Sequence, residues 1–325
     1  MPKDLYNTAI MRFYTNNPIS IVSAVTAYKD KLNKIVFVEP NLSSRGVNQT
    51  VLIKRKYQYQ KKMAKIISDC FHLEFTMLSW QQFYNVKDRT AAIDSHLLRG
   101  QVHNIKNVLF AASDTYTVFG FSNYTSNILT KFNLEFYWQK QLKLDKSSVL
   151  YIFGYKNKKF KKRNVNTINK KELGVNLKLV SESLFTSTKY KFKIDKKKQY
   201  IVVLPPVTKY TGENFSQEFL KIVYKYSASK ELDIILKVHP NDSLEYYSKF
   251  SFLKDSLKVS KYYPVEFLFT LPNIRKIIAV PSASLAYANQ NKLSVLVPKN
   301  RELFRTNFLD QLVFLETNKI SLKSI

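Results

Sequence analysis

Short apolar runs alternate with longer amphipathic stretches along this chain. The apolar runs are bounded by turn-forming residues and predict buried strands at 34–39, 107–112, 134–138, 149–153, 200–204, 233–238, 276–280 and 293–297. Between several of them, apolar residues at helical spacing predict helices at 18–30, 57–70, 115–131, 214–228, 264–271 and 302–313. Such alternation is typical of βαβ units, so we expect an α/β fold with parallel sheets.

The length of the chain predicts two domains, because 325 residues exceed what one hydrophobic core usually supports. Half of the predicted strands lie on each side of a lysine-rich stretch near 156–198. We place the boundary at about residue 195, which gives an N-terminal domain, 1–195, and a C-terminal domain, 196–325. The expected architecture is two Rossmann-like domains that face each other across a cleft.

Polar residues follow three of the predicted strands in the C-terminal half. One strand ends on His239 and Pro240, and another ends on a proline followed by Ser282 and Ser284. A third ends on Pro205 and leads to a turn that contains Gly212. In parallel sheets, ligands bind outside the carboxyl ends of the strands, so we expect one ligand crevice at this edge.

The side chains at this edge suit a phosphate or a nucleotide. An imidazole at His239 can donate to a phosphate oxygen, and Lys237 lies on the same strand face. Hydroxyls at Ser282 and Ser284, at a helix start, either bind phosphate or cap the helix. Glu266, early in a short predicted helix, either accepts the hydroxyls of a ribose or favours the helix dipole.

The net charge of +28 predicts attraction to polyanions. Lysine clusters at 54–62, 156–163 and 189–198 would suit an acidic glycan or the anionic inner-membrane surface, and a solvated surface is the alternative. Nucleic acid is a poor candidate, because no nucleic-acid-binding motif accompanies the charge. A single cysteine, Cys70, excludes an internal disulfide and fits a reducing compartment. Neither a secretory signal nor a membrane-spanning stretch is predicted, so we expect a cytoplasmic chain, peripheral on the inner membrane if it binds there.

The order and spacing of three segments, LKVHPND, YYPVEFLF and PSASLAYA, resemble bacterial sialyltransferases of the capsule polysialyltransferase and lipooligosaccharide sialyltransferase families. The resemblance covers roughly 200–300. It implies the two-domain GT-B glycosyltransferase architecture and inverting transfer of sialic acid from CMP-sialic acid to a cell-surface glycan. It also implies that no metal and no cofactor beyond the CMP-activated co-substrate is needed.

Carried over onto matching positions, the resemblance implies that His239, Ser282 and Ser284 contact the CMP phosphate. It implies that Glu266 holds the ribose. Donors directed at the phosphate would stabilise the charge of the leaving group. Inversion also needs a base that takes the proton of the acceptor hydroxyl.

The chain departs from the family pattern at that base. The family has two acidic residues and a glycine after a strand of the first domain, and no such string exists here. By layout the nearest segment is 152–154, where the glycine remains and both acids are apolar. Substitutes are Asp114, which follows a predicted strand, and Glu135 or Asp145.

Three functions therefore stay open. The first is a sialyltransferase, and the second is a transferase that uses CMP-Kdo or a CDP-polyol. The third is a non-catalytic relative that binds CMP or a glycan and has lost the base. Metal-dependent hydrolysis and dinucleotide chemistry are disfavoured, because the four histidines are scattered and no GxGxxG occurs.

Overall fold

A computed structural model shows an α/β protein with two parallel sheets. It describes residues 11–42, 47–86, 91–97, 107–110, 149–152, 164–187, 194–195, 197–291, 294–297, 315 and 322–324. The chain divides into two compact units between Leu173 and Gly174. The domain boundary at about residue 195 stays a prediction.

The first unit contains a seven-stranded sheet in the order β3-β2-β1-β4-β5-β6-β7. Its strands are β1 (Met11–Thr15), β2 (Leu32–Val38), β3 (Glu74–Leu78), β4 (Ala92–Asp94), β5 (Asn107–Phe110), β6 (Val149–Ile152) and β7 (Val165–Thr167). Every neighbouring pair is parallel. The chain runs outward from β1 to β3, then returns to β4 and continues the other way. The order therefore reverses between β1 and β4, as in Rossmann-like sheets.

Helices α1 (Pro18–Tyr28), α2 (Val47–Cys70) and α3 (Trp80–Tyr84) follow β1, β2 and β3. The start of α1 is fixed locally, because the Asn17 side chain accepts from the Ile19 amide and proline occupies the first turn. The helix ends where Lys29 adopts a positive φ of 47°. Buried residues of the central strands pack in one core cluster that includes Tyr14, Val36 and Ile93.

The second unit contains a six-stranded parallel sheet in the order β10-β9-β8-β11-β12-β13. Its strands are β8 (Tyr200–Leu204), β9 (Asp233–Leu236), β10 (Leu257–Lys258), β11 (Ile274–Ala279), β12 (Ser294–Val297) and β13 (Leu322–Ser324). Here the order reverses between β8 and β11. The two sheets thus share one topology, with β1 and β8 in equivalent positions.

Four helices accompany this sheet: α4 (Lys170–Thr186), which crosses the division between the units, α5 (Thr208–Thr211), α6 (Glu213–Ala228) and α7 (Leu244–Ser248). Helix α6 is amphipathic and buries Phe215, Phe219, Leu220 and Val223 on one face. The adjoining core includes Ile201, Leu236 and Tyr247. These contacts hold the carboxyl ends of β8 and β9 against rigid elements.

The α/β prediction is confirmed, and several element predictions need correction. The helix predicted at 264–271 is a 3-10 segment, Val265–Thr270, because Pro264 fixes its start and its apolar side chains are buried on all sides. The stretch that follows Ser282 is also a 3-10 segment, Ala283–Asn291, where a helix was expected. Helix α2 begins ten residues earlier than the predicted 57–70.

Some elements were not predicted at all. Strands β4, β7, β10 and β13 have only two or three residues and form no recognisable apolar run. Strands β1 and β3 mix polar with apolar residues. Helix α4 lies within the lysine-rich stretch, although its buried residues Leu173, Leu177, Val180 and Leu184 have helical spacing. The strand predicted at 134–138 and the helices at 115–131 and 302–313 lie outside the described residues.

Candidate functional site

The carboxyl edge of the second sheet brings the predicted strand ends together. Strand β8 lies between β9 and β11, and Val203 pairs with both Leu236 and Ile278. Neighbouring strands lie about 4.8 Å apart, so β9 and β11 are about 10 Å apart. Leu236, Val203 and Ile278 are thus level with each other across the three strands. Three residues further along each chain segment, at the carboxyl edge, are His239, Pro206 and Pro281. His239 and the serine pair therefore leave one edge of one sheet, on either side of β8.

His239 begins a tight turn, residues 239–242, which we call the His-Pro turn. Its side chain is exposed, and Pro240 is half-buried. The Asn241 amide donates to the His239 Nδ1 at 3.1 Å. The Asp242 amide donates to the His239 carbonyl at 2.9 Å. Backbone amides of the turn thus bind both the ring Nδ1 and the carbonyl of His239.

Asp242 anchors this turn and was not singled out by the sequence. Its side chain is only 7% exposed and accepts hydrogen bonds from the Thr208 hydroxyl at 2.5 Å, the Thr208 amide at 3.2 Å and the Tyr247 hydroxyl at 2.8 Å. Burial raises the pKa of Asp242, but these hydrogen bonds outweigh burial and hold it below its usual value. Asp242 is therefore an ionised anchor between the segments that follow β8 and β9.

Lys237 and Glu266 interact beneath this edge. The Lys237 side chain is 7% exposed, and its Nζ donates to the carbonyls of Val238 at 2.8 Å and Lys261 at 3.2 Å. Burial raises the pKa of Glu266 to about 7, although its own backbone amide and the Lys237 ammonium both lower it. A carboxylate that ionises near neutrality, in a half-buried side chain, can accept hydrogen bonds from ligand hydroxyls.

Ser282 and Ser284 form a hydroxyl pair beyond β11. Their Oγ atoms lie 3.0 Å apart, both side chains are half-buried, and Pro281 before them is buried. The Ser282 carbonyl accepts from the Leu285 amide at 3.0 Å, which begins the 3-10 segment. Two adjacent hydroxyls at a strand end offer donors to one anionic group.

Pro205 and Gly212 lie on the β8 side of the edge. Pro205 is buried, and Gly212 has a φ of +82°, which favours glycine. The Gly212 amide donates to the Thr208 carbonyl at 2.9 Å. This amide is therefore used inside the fold, and the role of Gly212 at a ligand site stays a prediction. No side chain caps α6 after Gly212.

A surface pocket of about 610 Å³ adjoins the His-Pro turn. It is lined by residues 241–245 and, from the last residue of β10 onward, by residues 258–261. His239, Ser282 and Ser284 do not line it. The pocket thus lies on the β10 side of the turn, whereas the serine pair lies on the β11 side.

The first sheet carries a second buried aspartate that the sequence analysis missed. Asp94 ends β4, Thr15 ends β1, and both are fully buried. The Thr15 hydroxyl donates to the Asp94 carboxylate at 2.6 Å, across the point where the strand order reverses. The only sequence signal is an acid that follows three apolar residues, 91–93, which are too few to predict a strand.

The predicted base candidates are not placed. Asp114, Glu135, Asp145, Phe153 and Gly154 lie outside the described residues. Ile152, the residue predicted by layout to correspond to the first acid of the pattern, ends β6 and is fully buried.

In the described part of the chain, no cluster of three histidine, cysteine, aspartate or glutamate residues is arranged to hold a metal ion. Among the same residues, none of the helices has the length and apolar character needed to span a membrane. No protein-family model matches this chain, and no curated protein matches it. The geometry of the sheet edge is therefore the main indication of function.

Proposed function

We propose that this chain is an inverting glycosyltransferase of GT-B architecture. It would transfer sialic acid, or a related acidic sugar, from a CMP-activated donor to a cell-surface glycan of capsule or lipooligosaccharide type. One observation carries the proposal: an exposed histidine and a pair of hydroxyls leave the same sheet edge on either side of β8. The reversal of strand order beside β8 is where open parallel sheets bind nucleotides.

The proposed reaction places each described residue in a role. The acceptor oxygen forms a bond to the anomeric carbon of the sugar while the bond from that carbon to the phosphate oxygen breaks. CMP leaves with the electron pair, and His239, Ser282 and Ser284 donate to its phosphate. Donors held in place before the reaction stabilise this developing charge without reorganisation.

Glu266 would hold the ribose of CMP. Its half-buried carboxylate lies near the Lys237 ammonium, and its pKa of about 7 allows ionisation near neutral pH. The ionised form accepts from both ribose hydroxyls, whereas the protonated form has lost part of that capacity. CMP binding is therefore expected to depend on the ionisation of Glu266.

The base that takes the acceptor proton is proposed to be Asp114. Asp94 is a poorer candidate, because it is fully buried and bonded to Thr15. A general base must come within hydrogen-bond reach of the proton that it removes.

A second candidate function is a CMP- or glycan-binding protein without turnover. The fully buried, apolar Ile152 at the end of β6 favours it, because the family has an acid at the corresponding position. The nucleotide edge is unaffected by this difference. Binding without turnover would support this second function.

The partners are proposed from charge. A net charge of +28 suits an acidic glycan acceptor and the cytoplasmic face of an anionic inner membrane. Nucleic acid remains the less favoured polyanion.

The test is titration of CMP by calorimetry, followed by CMP release from CMP-sialic acid, CMP-Kdo and CDP-glycerol. His239→Ala should weaken CMP binding by about tenfold to a hundredfold, the range for losing a hydrogen bond to a charged group. The matched control is His72→Asn, an exposed histidine with a φ of 54° that asparagine tolerates. Equal CMP binding by His239→Ala and the parent would refute the assignment, and no CMP binding by the parent would refute the function.

A further inference from the structure

The His-Pro turn fixes the protonation pattern of its own histidine. The Asn241 amide is a donor, and it points to the His239 Nδ1 at 3.1 Å. In a neutral imidazole one nitrogen donates and the other accepts, so Nδ1 is the acceptor and the proton lies on Nε2. A neutral His239 therefore still has an N–H donor.

The hydrogen bond from the Asn241 amide to the His239 Nδ1 forms only if the His-Pro turn keeps its conformation. The hydrogen bonds of the Asp242 carboxylate restrain that conformation. The carboxylate joins the turn to Thr208, thirty-four residues earlier in the chain, through two hydrogen bonds. It also accepts from the Tyr247 hydroxyl, which donates to the Pro206 carbonyl as well, each at 2.8 Å. The Ser243 amide adds a fourth donor at 3.0 Å.

We infer that Asp242 is a positioning residue that keeps His239 in the Nε2–H tautomer. The neutral imidazole then meets an anion at the sheet edge with a hydrogen-bond donor. The inference rests on the proposed function only for the identity of that anion, which would be the CMP phosphate. The tautomer itself can be measured without any ligand.

The direct test is long-range proton–nitrogen NMR of the nitrogen-15-labelled protein in mildly alkaline buffer. The His239 signals are assigned by their loss in His239→Gln. We expect the Nε2–H pattern in the parent and in Asp255→Asn, an exposed aspartate that serves as the control. We expect a mixture of tautomers in Asp242→Asn, or in Thr208→Val if the first variant does not fold. An Nδ1–H pattern in the parent, or unchanged spectra in the folded variant, would overturn the inference.

A pair of substitutions tests the same geometry through binding. In His239→Gln the amide nitrogen can take the place of Nε2, whereas in His239→Asn the amide oxygen can take the place of Nδ1. We expect CMP affinity to fall by about tenfold or less in His239→Gln and by about a hundredfold in His239→Asn. The reverse order would contradict the inference. Absence of CMP binding by the parent would refute the proposed function and leave the NMR test unaffected.

A different region carries an independent inference. Helix α2 presents what we call its basic face, formed by the exposed side chains of Val51, Lys54, Arg55, Lys62 and Lys65. Val51, Arg55 and Lys62 share one side of the helix by their spacing, and Lys54 and Lys65 lie three turns apart beside them. Residues 51 to 65 span about 21 Å along the helix axis. The helix has one acidic residue, Asp69, which pairs with Lys65 at 2.5 Å.

The first part of this helix also exposes apolar side chains. Val51 is 44% exposed and Leu52 is 48% exposed, and the first buried side chain described in the helix is Tyr57. Exposed aliphatic groups beside basic ones are typical of helices that lie on anionic lipid surfaces. A nucleic acid would pair its phosphates with the basic side chains but would leave the aliphatic side chains exposed to water.

We propose that the basic face of α2 binds an anionic membrane surface. Vesicles of phosphatidylcholine with phosphatidylglycerol should bind the protein, and vesicles of phosphatidylcholine alone should not. Lys54→Gln/Arg55→Gln/Lys62→Gln should lower vesicle affinity by about a hundredfold, since each basic residue near an anionic surface contributes about 1 kcal/mol. Val51→Ser/Leu52→Ser, which keeps the charge, should also weaken binding.

The matched control is Lys221→Gln/Lys225→Gln/Lys230→Gln, which removes the same charge from exposed lysines in and after α6. It should change vesicle affinity by less than about threefold. Equal losses in both triple variants would show that net charge alone acts, which overturns the proposal. Binding of single-stranded RNA through the same lysines, without vesicle binding, would overturn it in favour of nucleic acid.

Discussion

The two sheets share a strand order and a threonine–aspartate bond at the carboxyl edge, but the bond crosses different strands. In the first sheet it joins Thr15 on β1 to Asp94 on β4, across the reversal of strand order. In the second it joins Thr208 after β8 to Asp242 after β9, on the other side of the central strand. The equivalent reversal, between β8 and β11, carries no such bond among the described residues.

The two reversals of strand order also differ in the accessibility of their polar side chains. At the first reversal Thr15 and Asp94 are fully buried and hydrogen-bonded to each other. At the second the half-buried Ser282 and Ser284 lie beside β8, opposite the exposed His239. The same reversal of strand order therefore carries a buried polar pair in one sheet and accessible polar side chains in the other, and the side chains at the edge decide the function.

The largest expected effect comes from removing the anchor of the accessible edge. Asp242→Ala leaves the Thr208 hydroxyl and amide without their acceptor and removes one of the two acceptors of the Tyr247 hydroxyl, in a site that is 7% exposed. We expect the free energy of unfolding in urea to fall by about 3 kcal/mol. The exposed Asp255→Ala should change it by less than about 0.5 kcal/mol. Similar values for both variants would show that Asp242 is not an anchor.

Asp94→Ala tests whether the first sheet contributes to CMP binding or only to stability. It removes one of two acceptors of the buried Thr15 hydroxyl, which also donates to the Asn17 carbonyl at 3.2 Å, and it removes a buried carboxylate, so we expect a smaller loss of about 2 kcal/mol. CMP affinity, measured by calorimetry, should stay within about twofold of the parent. A loss as large as that of His239→Ala would mean that the first sheet takes part in nucleotide binding.

The sequence was sufficient to predict what depends on neighbouring residues. Apolar runs identified β8, β9 and β11, and the Pro-bounded strand ends predicted which residues lie at their carboxyl edge. Both aspartate anchors were missed, because their partners lie thirty-four and seventy-nine residues away. A propensity pattern contains no information about such a pairing until the topology is known.

The 3-10 segments show a second limit of prediction from local sequence. Val265–Thr270 has the composition of a short helix, but all of its side chains except that of Glu266 are buried, and Pro272 follows closely. Tertiary packing therefore overrides the local preference. Strands of three residues, such as β4, form only because neighbouring strands pair with them.

A third prediction concerns pH and Glu266 at the accessible edge. Because the folded pKa of about 7 exceeds the usual 4.5, the unfolded state loses its proton first as pH rises. The contribution of Glu266 to stability is thus present at low pH and is lost between these two values. Glu266→Gln lacks this loss, so its unfolding free energy should gain on the parent by about 1 kcal/mol between about pH 5 and about pH 8.

The expected gain in unfolding free energy is smaller than for a fully buried carboxylate. The reason is that the Glu266 side chain is partly exposed, so solvent screens its charge. Glu218→Gln, on the exposed face of α6, is the control for removing a surface carboxylate. A pH-independent difference for Glu266→Gln would contradict the raised pKa. CMP affinity should fall in Glu266→Gln if the carboxylate holds the ribose.

The smallest expected effect on stability comes from the hydroxyl pair, and it gives the sharpest information about the ligand. Ser282→Ala and Ser284→Ala each remove one partner of a half-buried contact at 3.0 Å, so each should cost less than about 1 kcal/mol of stability. If both hydroxyls donate to one phosphate, their effects on CMP affinity are coupled, and the double variant should lose less than the sum of the single losses. Ser229→Ala, on the exposed end beyond α6, is the control. Strictly additive losses would place the two hydroxyls on different ligand groups, and the edge beside β11 would then not be a single anion site.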